Sequence, residues 1–307
     1  MNNNKVLKAN FFGMMLLILY SVAPTLLLPI LKYIKLPIEY NIVVIQVVLL
    51  LVPTIIYFSV TKYPIKNTLR LNKIGFKSAL IIIIMGIIAQ PIIMFLSLIT
   101  QFIFPNRIGE FMSQLNSIPL IAQVMIIAAT PAIFEEITVR GVILGGYEDV
   151  DIKKAAIMTG LFFAMLHRDG NQALYTFVLG FIFAYLVKIT NSIFSSMICH
   201  FTINGISAMI SFLSMRNFEN KVAYSEGIKS IPYKELIFGT LFWLIIAIIC
   251  IKIVMLLIRK LIKINNFEQI NNANEYKNLK KIMNWPVYVS LVIYINITHF
   301  LYHFMNM

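Results

Sequence analysis

The sequence predicts an all-α fold, a polytopic integral membrane bundle of about eight to nine transmembrane helices. Of its 307 residues, 59% are hydrophobic and only 13% are charged, whereas an ordinary soluble domain carries about 25% charged residues. The mean hydropathy is +0.83. So little polar surface cannot cover a water-soluble globule. The composition therefore excludes a soluble, a disordered or a nucleic-acid-binding protein and predicts that apolar surface faces a lipid bilayer.

Nine apolar runs are candidate spans, and most have the roughly 20 residues that a hydrocarbon core of about 30 Å requires. They are 11–31, 40–60, 76–104, 120–144, 154–168, 171–188, 191–214, 236–258 and 285–306. The run 154–168 is short and is separated from the next only by Arg168, Asp169 and Gly170, so a short hairpin is an alternative. The first run is too long for a signal peptide and is expected to stay as an anchor. One membrane domain, 1–307, is the simplest organisation.

The excess of basic residues predicts an orientation. There are 26 Lys and Arg against 13 Asp and Glu, a net charge of +13. With the N-terminus in the cytoplasm, 16 of the Lys and Arg fall in cytoplasmic segments and 8 on the other side, the bias that the positive-inside rule requires. The distribution of the basic residues therefore predicts the orientation of the chain in the membrane, and no nucleic-acid partner is expected. Abundant Ile, Lys and Asn are typical of an AT-rich bacterial genome, which predicts a bacterial cytoplasmic membrane.

Ionisable residues well inside the spans are few, and such residues are costly in lipid and frequently functional. The acidic ones are Glu135 and Glu136, and the basic ones are Arg140 and Lys252. Glu136 and Arg140 are four residues apart, so a helix places them in reach of an ion pair. Glu135 is rotated by about 100° from Glu136, and Pro131 removes a backbone hydrogen bond nearby. A simpler alternative is that the pair only locks two helices together, but this leaves Glu135 without a partner.

Polar residues of two further spans are predicted to meet these glutamates. His167 ends the segment Phe163-Ala-Met-Leu-His167, and His200 and Asn204 share one helical face. Each alone is equally typical of an interhelical hydrogen bond. At 1.5 Å per residue, Glu135, His200, Asn204 and His167 lie about 10 to 20 Å from the cytoplasmic ends of their helices. Their overlapping depths predict a water-holding cavity in the cytoplasmic half of the bilayer, opening toward the cytoplasm.

The chemistry of this set favours hydrolysis. A partly desolvated carboxylate can act as general base on water, and imidazole and amide groups can stabilise an oxyanion. No Ser or Cys has an evident activating partner, and the isolated Cys199 and Cys250 are interpreted as small hydrophobic residues. Zinc held by Glu135, His167 and His200 is the competing hypothesis, although the sequence contains no H-E-x-x-H motif.

The ordered set Glu135-Glu136-x-x-x-Arg140, Phe163-x-x-x-His167 and His200-x-x-x-Asn204 resembles the CPBP family. This family comprises CAAX proteases and bacteriocin-processing proteins and is also called Abi or type II CAAX prenyl endopeptidase-like. The hydrophobic frame 115–214 is compatible with the family core, whereas the flanking segments 1–114 and 215–307 lie outside the resemblance.

The resemblance implies an intramembrane glutamate-type endopeptidase, often labelled a metalloprotease, that requires no cofactor, although zinc is possible. Glu135 would activate water, Glu136 paired with Arg140 would support the site, and His167 would hold the water. The two remaining motif residues, His200 and Asn204, would form the oxyanion hole.

The implied substrate is a membrane-associated peptide or protein, in CAAX-type processing, peptide or bacteriocin maturation, or self-immunity. Because the Ile-, Lys- and Asn-rich composition is typical of an AT-rich bacterial genome, a prenylated substrate is not assumed. The alternative is a non-catalytic immunity factor or transporter-like scaffold that uses the same polar network. The sequence makes no prediction of oligomeric state. His299 and His303 also stand four apart, and we interpret them as the interfacial end of the last helix, with a second metal pair as the alternative.

Overall fold

The computed structural model describes residues 3–115, 117–217, 231–268 and 282–305, and within these ranges it is helical without strands. The all-α prediction is therefore confirmed. The helices are α1 (Asn3–Tyr33), α2 (Ile38–Thr61), α3 (Ile65–Thr68), α4 (Phe76–Gln101), α5 (Ile108–Gln114), α6 (Leu120–Ile143), α7 (Ile152–His167), α8 (Ala173–Thr190), α9 (Ile193–Asn217), α10 (Tyr233–Ile264) and α11 (Trp285–Met305). The two longest polar stretches of the sequence between apolar runs, 214–235 and 263–284, fall largely outside the described residues.

Seven of the described helices are long and apolar enough to cross a membrane, namely α1, α2, α4, α6, α8, α9 and α10. The count of eight to nine spans included two further helices. The run 154–168 forms α7, which has only 16 residues. The run 285–306 forms α11, which has 21 residues and is apolar over Trp285–Leu301, where its side chains are described. At 1.5 Å per residue, α7 reaches only about 24 Å. Asp151 caps its first turn by accepting from the backbone N–H groups of Lys153 and Lys154.

Helices α7 and α8 form the predicted hairpin, and two glycines let them approach closely. A Cβ added to Gly160 would lie 2.8 Å from the carbonyl oxygen of Phe177, and one added to Gly180 would lie 2.7 Å from the Cα of Gly160. Close backbone approach through small residues is typical of helix packing in membranes, where the hydrophobic effect between helices is weak. The hairpin lies in the centre of the bundle against α4, α6 and α9.

The turn of this hairpin, residues 168–172, is tied to the C-terminal end of α4. Asn171 donates from Nδ2 to the Ser97 carbonyl oxygen at 3.1 Å, and Thr100 Oγ1 donates to the Asn171 carbonyl oxygen at 2.6 Å. The other end of the bundle is marked by Gly146, just after α6, which packs against the carbonyl oxygen of Lys5. The hairpin turn and Lys5 therefore lie at opposite ends of the bundle.

Three described stretches are π-helical rather than α-helical: Val47–Leu51 within α2, and Met125–Ala129 and Glu136–Ile143 within α6. The spacing argument for Glu135 and Glu136 assumed an α-helix, so this local geometry differs from the expectation. A π-helical turn holds more residues than an α-helical turn and is frequent at functional sites. Both stretches of α6 flank Glu135.

The remaining predicted polar positions lie away from the centre. Lys252 is exposed on α10, and His299 is exposed on α11. The side chain of His303 lies outside the described residues. Cys199 and Cys250 are buried and free, in agreement with their interpretation as small hydrophobic residues.

Candidate active site

A buried ion pair forms the floor of the site. Arg140 Nη1 donates to Glu136 Oε1 at 3.0 Å, and both side chains are completely buried. The predicted pair is therefore present, even though it sits in the π-helical stretch of α6. A buried charge is tolerated only when it is paired and hydrogen-bonded. Glu136 and Arg140 consequently neutralise one another inside the bundle.

Two aromatic rings enclose the guanidinium. Arg140 Cζ lies 4.2 Å from the ring centroid of Phe163 on α7 and 5.0 Å from that of Phe183 on α8. Its Nη2 donates to the carbonyl oxygen of Gly180 at 3.4 Å. Cation–π attraction strengthens when the cation is desolvated. The α7–α8 hairpin thus holds Arg140 in one position and thereby orients Glu136.

His200 connects the ion pair to the second glutamate. Its Nδ1 lies 2.9 Å from Glu136 Oε1, and its Nε2 lies 4.0 Å from Glu135 Oε2. An ionised carboxylate can only accept, so Nδ1 carries the proton and Nε2 faces Glu135. The ring stacks on Phe183 with centroids 5.1 Å apart and meets the edge of Phe163 at 5.9 Å. These contacts fix the tautomer and the orientation of His200.

Glu135 differs from Glu136 in its exposure and in its ion pairing. Its side chain is 21% exposed, against 0% for Glu136. Its Oε2 is buried and has no hydrogen-bond partner among the described residues. A buried acceptor without a partner is rare in folded proteins and is frequent at catalytic sites. Glu136 Oε2 is likewise buried without a partner among the described residues, so what distinguishes Glu135 is its partial exposure and the absence of an ion pair with Arg140.

Asn204 is held by a consequence of Pro131. The carbonyl oxygen of Ile127 lies four residues before Pro131, which has no N–H and cannot donate to it as an α-helical residue would. Asn204 Nδ2 donates to this oxygen at 3.1 Å. The amide nitrogen has two hydrogens, so one remains for another acceptor. The sequence predicted that Pro131 would remove a backbone hydrogen bond of α6, and α9 is attached to α6 close to this position.

His167 ends α7 and lies at the margin of the site. Its Nδ1 is 2.8 Å from the Phe163 carbonyl oxygen, to which it donates, because a carbonyl oxygen only accepts. Its Nε2 is therefore available as an acceptor. The ring packs on Phe163 with centroids 4.8 Å apart, and Phe163 also contacts His200. His167 further lines a cavity at the hairpin turn.

The helices that carry these residues match a known protein family. Residues 117–206 match the family described as type II CAAX prenyl endopeptidase Rce1-like. We call this matched segment, which carries all six candidate site residues, the Rce1-like core. The match bears out the resemblance drawn from the three motifs and supports a CAAX-type intramembrane endopeptidase in general terms. No curated protein and no solved structure matches the chain in the other two comparisons.

The Rce1-like core does not gather its donors as a zinc site would. A zinc site needs three or four donor atoms about 2 Å from one point. Within the described ranges, no three His, Cys, Asp or Glu side chains converge in this way. Glu135, His167 and His200 in particular do not form one group. The donor set therefore does not fit zinc, and we derive no step through a metal.

Some residues of the Rce1-like core escaped prediction. Ser196 is completely buried one turn before His200, close to Glu136. The spacing Ser196-x-x-x-His200-x-x-x-Asn204 would have indicated it. Phe183 and Gly180, in contrast, contact Arg140 from α8, and no spacing signal in the sequence points to them.

Proposed function

We propose that the protein hydrolyses a peptide bond of a membrane-associated peptide or protein, with water activated by Glu135. The observation that carries the proposal is the open, buried Oε2 of Glu135 beside His200 Nε2 at 4.0 Å. A water molecule at about 2.8 Å can hydrogen-bond to both of these atoms. The family assignment supplies the reaction class, and the contacts of Glu135 supply its role as base.

In the proposed reaction, the water oxygen forms a bond to the carbonyl carbon of the scissile peptide while Glu135 takes the proton from the water. The carbonyl electron pair moves onto oxygen and gives a tetrahedral oxyanion. The C–N bond then breaks, and Glu135 returns its proton to the leaving amine. No covalent enzyme intermediate is formed, so the step requires neither a serine nor a cysteine nucleophile.

His200 and Asn204 are proposed to stabilise the oxyanion by donating from Nε2 and from the second hydrogen of Nδ2. Donors fixed before the reaction lower its barrier most effectively. Because Nδ1 of His200 already donates to Glu136, an Nε2–H requires the imidazolium form.

Glu136 and Arg140 are positioning residues in this proposal, because they act on the reaction through His200. His167 is proposed to accept a second hydrogen bond from the water through its free Nε2. The imidazole is already oriented by its bond to the Phe163 carbonyl oxygen, so it needs little reorganisation to do so.

The substrate is proposed to be a membrane-associated peptide, processed in CAAX-type cleavage or in bacteriocin or peptide maturation. A bacterial cytoplasmic membrane with a cytoplasmic N-terminus remains the proposed location. The cavity at His167 lies at the end of the bundle opposite to Lys5. The sequence predicted a site that opens toward the cytoplasm. If substrate enters through this cavity and the N-terminus is cytoplasmic, the site opens instead on the side of the membrane away from the cytoplasm.

The deciding experiment compares membrane and secreted peptides of cells that carry the wild-type protein or Glu135→Gln. Glutamine keeps the shape and one acceptor but cannot take a proton, so cleavage should fall by about 10²–10⁴-fold. Glu235→Gln is the matched control, because Glu235 is exposed in the first turn of α10. The Glu235→Gln protein should cleave peptides to the same extent as the wild-type protein.

Retained cleavage by folded Glu135→Gln protein would contradict the role of Glu135. Preserved biological function in this variant without any cleavage would favour the non-catalytic scaffold. Inhibition of the purified wild type by a chelator, reversed by added zinc, would favour a metal-dependent reaction instead of the one proposed.

A further inference from the structure

A cavity of about 590 Å³ runs along the outside of the bundle between α1 and α2. Its α1 side extends from Leu7 to Leu19, its α2 side extends from Pro53 to Thr61, and Trp285 of α11 closes one edge. The lining residues of each helix recur at helical spacing, so each side of the cavity is one face of its helix. We call this cavity the α1–α2 groove. Its lining includes none of the candidate active-site residues.

The groove has a buried floor and an exposed rim. The floor contains the buried side chains of Phe12, Leu16 and Tyr57, and the rings of Phe12 and Tyr57 are 5.0 Å apart. On the rim, Val60 is 76% exposed and Trp285 is 54% exposed. Both walls belong to helices that are long and apolar enough to cross a membrane. The surroundings of such a helix outside the protein are lipid, so the groove is open to the bilayer.

The length of the groove matches one leaflet of a bilayer. From Leu7 to Leu19, α1 rises by about 18 Å, whereas half of a hydrocarbon core of about 30 Å is about 15 Å. The volume of the groove lies within the range of about 300–1,000 Å³ that is typical of ligand pockets. The walls converge on the contact between Phe12 and Tyr57, so a helix about 10 Å across cannot reach the floor. A single hydrocarbon chain can.

The end of the groove nearest to the N-terminus carries a cation. Lys8 is the only charged residue among the lining residues, and its Nζ lies 5.7 Å from the centroid of the Tyr63 ring. Lys8 forms no ion pair with any of the described residues. Trp285 lies at the same end, with its ring 6.0 Å from that of Phe11. Tryptophan and tyrosine are enriched at membrane–water interfaces, so Lys8 lies at the level where lipid headgroups are found.

We propose that the α1–α2 groove binds one anionic phospholipid of the bilayer, with an acyl chain on Phe12, Leu16 and Tyr57 and the phosphate at Lys8. An acyl chain gains little by leaving the surrounding lipid, because lipid is as apolar as the groove. The choice of lipid therefore depends on the headgroup. Attraction between one lysine near the membrane surface and anionic lipid corresponds to a preference of about fivefold over a zwitterionic lipid. The bound lipid fills the space between α1 and α2 and is a structural ligand of the fold.

The two tryptophans of the chain supply a reporter and its matched control. Trp243→Phe leaves Trp285 in the groove, and Trp285→Phe leaves Trp243 on α10. Each full-length variant is placed in phosphatidylcholine vesicles that contain increasing fractions of phosphatidylglycerol or phosphatidylcholine with brominated acyl chains, which quench tryptophan fluorescence on contact. Half-maximal quenching of Trp285 should require about fivefold less brominated phosphatidylglycerol than brominated phosphatidylcholine. Trp243 should respond equally to both lipids.

Substitutions of Lys8 test the origin of this preference in the protein that keeps only Trp285. Lys8→Gln should make the two brominated lipids equivalent, whereas Lys8→Arg, which keeps the charge, should preserve the preference and so exclude misfolding as the cause. Lys252→Gln is the matched control, because Lys252 is exposed on α10, and it should leave the preference unchanged. An unchanged preference in Lys8→Gln would contradict the role of Lys8.

Three further outcomes would overturn the proposal. Equal quenching of Trp285 by the two lipids would show that the groove does not select an anionic headgroup. An equal preference for phosphatidylglycerol at Trp243 would show that the whole basic protein attracts anionic lipid without a site. Absence of quenching of Trp285 by either lipid would show that another protein segment or a second copy of the chain covers the groove. The measurement involves no cleavage and is therefore independent of the proposed function.

Discussion

Helices α8 and α10 are both long and apolar, but they occupy opposite environments. In their most apolar windows, α8 has a hydropathy of 1.8 and is 50% buried inside the protein, whereas α10 has a hydropathy of 3.1 and is 17% buried. The more hydrophobic helix therefore has fewer protein contacts. In a membrane, lipid is as apolar as a protein core, so hydropathy reports exposure to lipid, and small or polar residues report helix packing.

The same contrast applies to charge. Arg140 is completely buried, ion-paired and enclosed by two aromatic rings, whereas Lys252 is exposed on α10. A lysine at a lipid-facing position can extend its side chain toward the membrane interface, whereas the completely buried side chain of Arg140 cannot. Matched substitutions in the central and the peripheral helices should therefore have unequal effects.

The largest difference is expected for Arg140→Leu against Lys252→Leu. Removing Arg140 leaves the carboxylate of Glu136 buried without a cation, which should lower the free energy of unfolding by about 3–5 kcal/mol. The Lys252 substitution should change it by less than about 0.5 kcal/mol. Unfolding titrations in mixed micelles measure both values. Similar losses in the two variants would show that the central ion pair is not structurally special.

A smaller difference is expected for Gly160→Ala against Gly239→Ala. The new methyl group at Gly160 meets backbone atoms of α8 at 2.8 Å, whereas at Gly239 on α10 the nearest contact is an ordinary 3.8 Å to Leu98. Overpacking should destabilise the Gly160 variant by about 1–3 kcal/mol. Alanine at Gly239 should be neutral or slightly stabilising. A stable Gly160→Ala protein with wild-type cleavage would show that α7 and α8 can move apart without loss of stability or activity.

The smallest difference is expected for Thr138→Val against Thr240→Val. The hydroxyls of Thr138 and Thr54 lie 3.1 Å apart and link α6 to α2, whereas Thr240 donates only within its own helix, to Leu236. Interhelical hydrogen bonds in membranes contribute about 0.6 kcal/mol on average. The Thr138 variant should lose about this much in the same titration, and the Thr240 variant none. A reversed order would argue against the hydroxyl contact as a link between helices.

The sequence predicted the helices and the central ion pair well because both depend on local spacing. Apolar runs define helices, and positions four apart define the pairing of Glu136 with Arg140. The two π-helical stretches of α6 were not predictable in this way, since they depend on how the helix is held by its neighbours. The contacts of Arg140 with Phe183 and Gly180 depend on the α7–α8 packing. The contacts of Arg168 with Tyr20 on α1 are equally non-local.

The link between Pro131 and Asn204 has a consequence for the evolution of the two positions. Asn204 replaces a backbone donor that Pro131 cannot supply to the carbonyl oxygen of Ile127. Replacing the proline would restore the helical donor and release the amide, while replacing the asparagine would leave the carbonyl oxygen without a partner in an apolar setting. Each substitution is unfavourable when the other residue is unchanged. We therefore expect positions 131 and 204 to covary in related sequences.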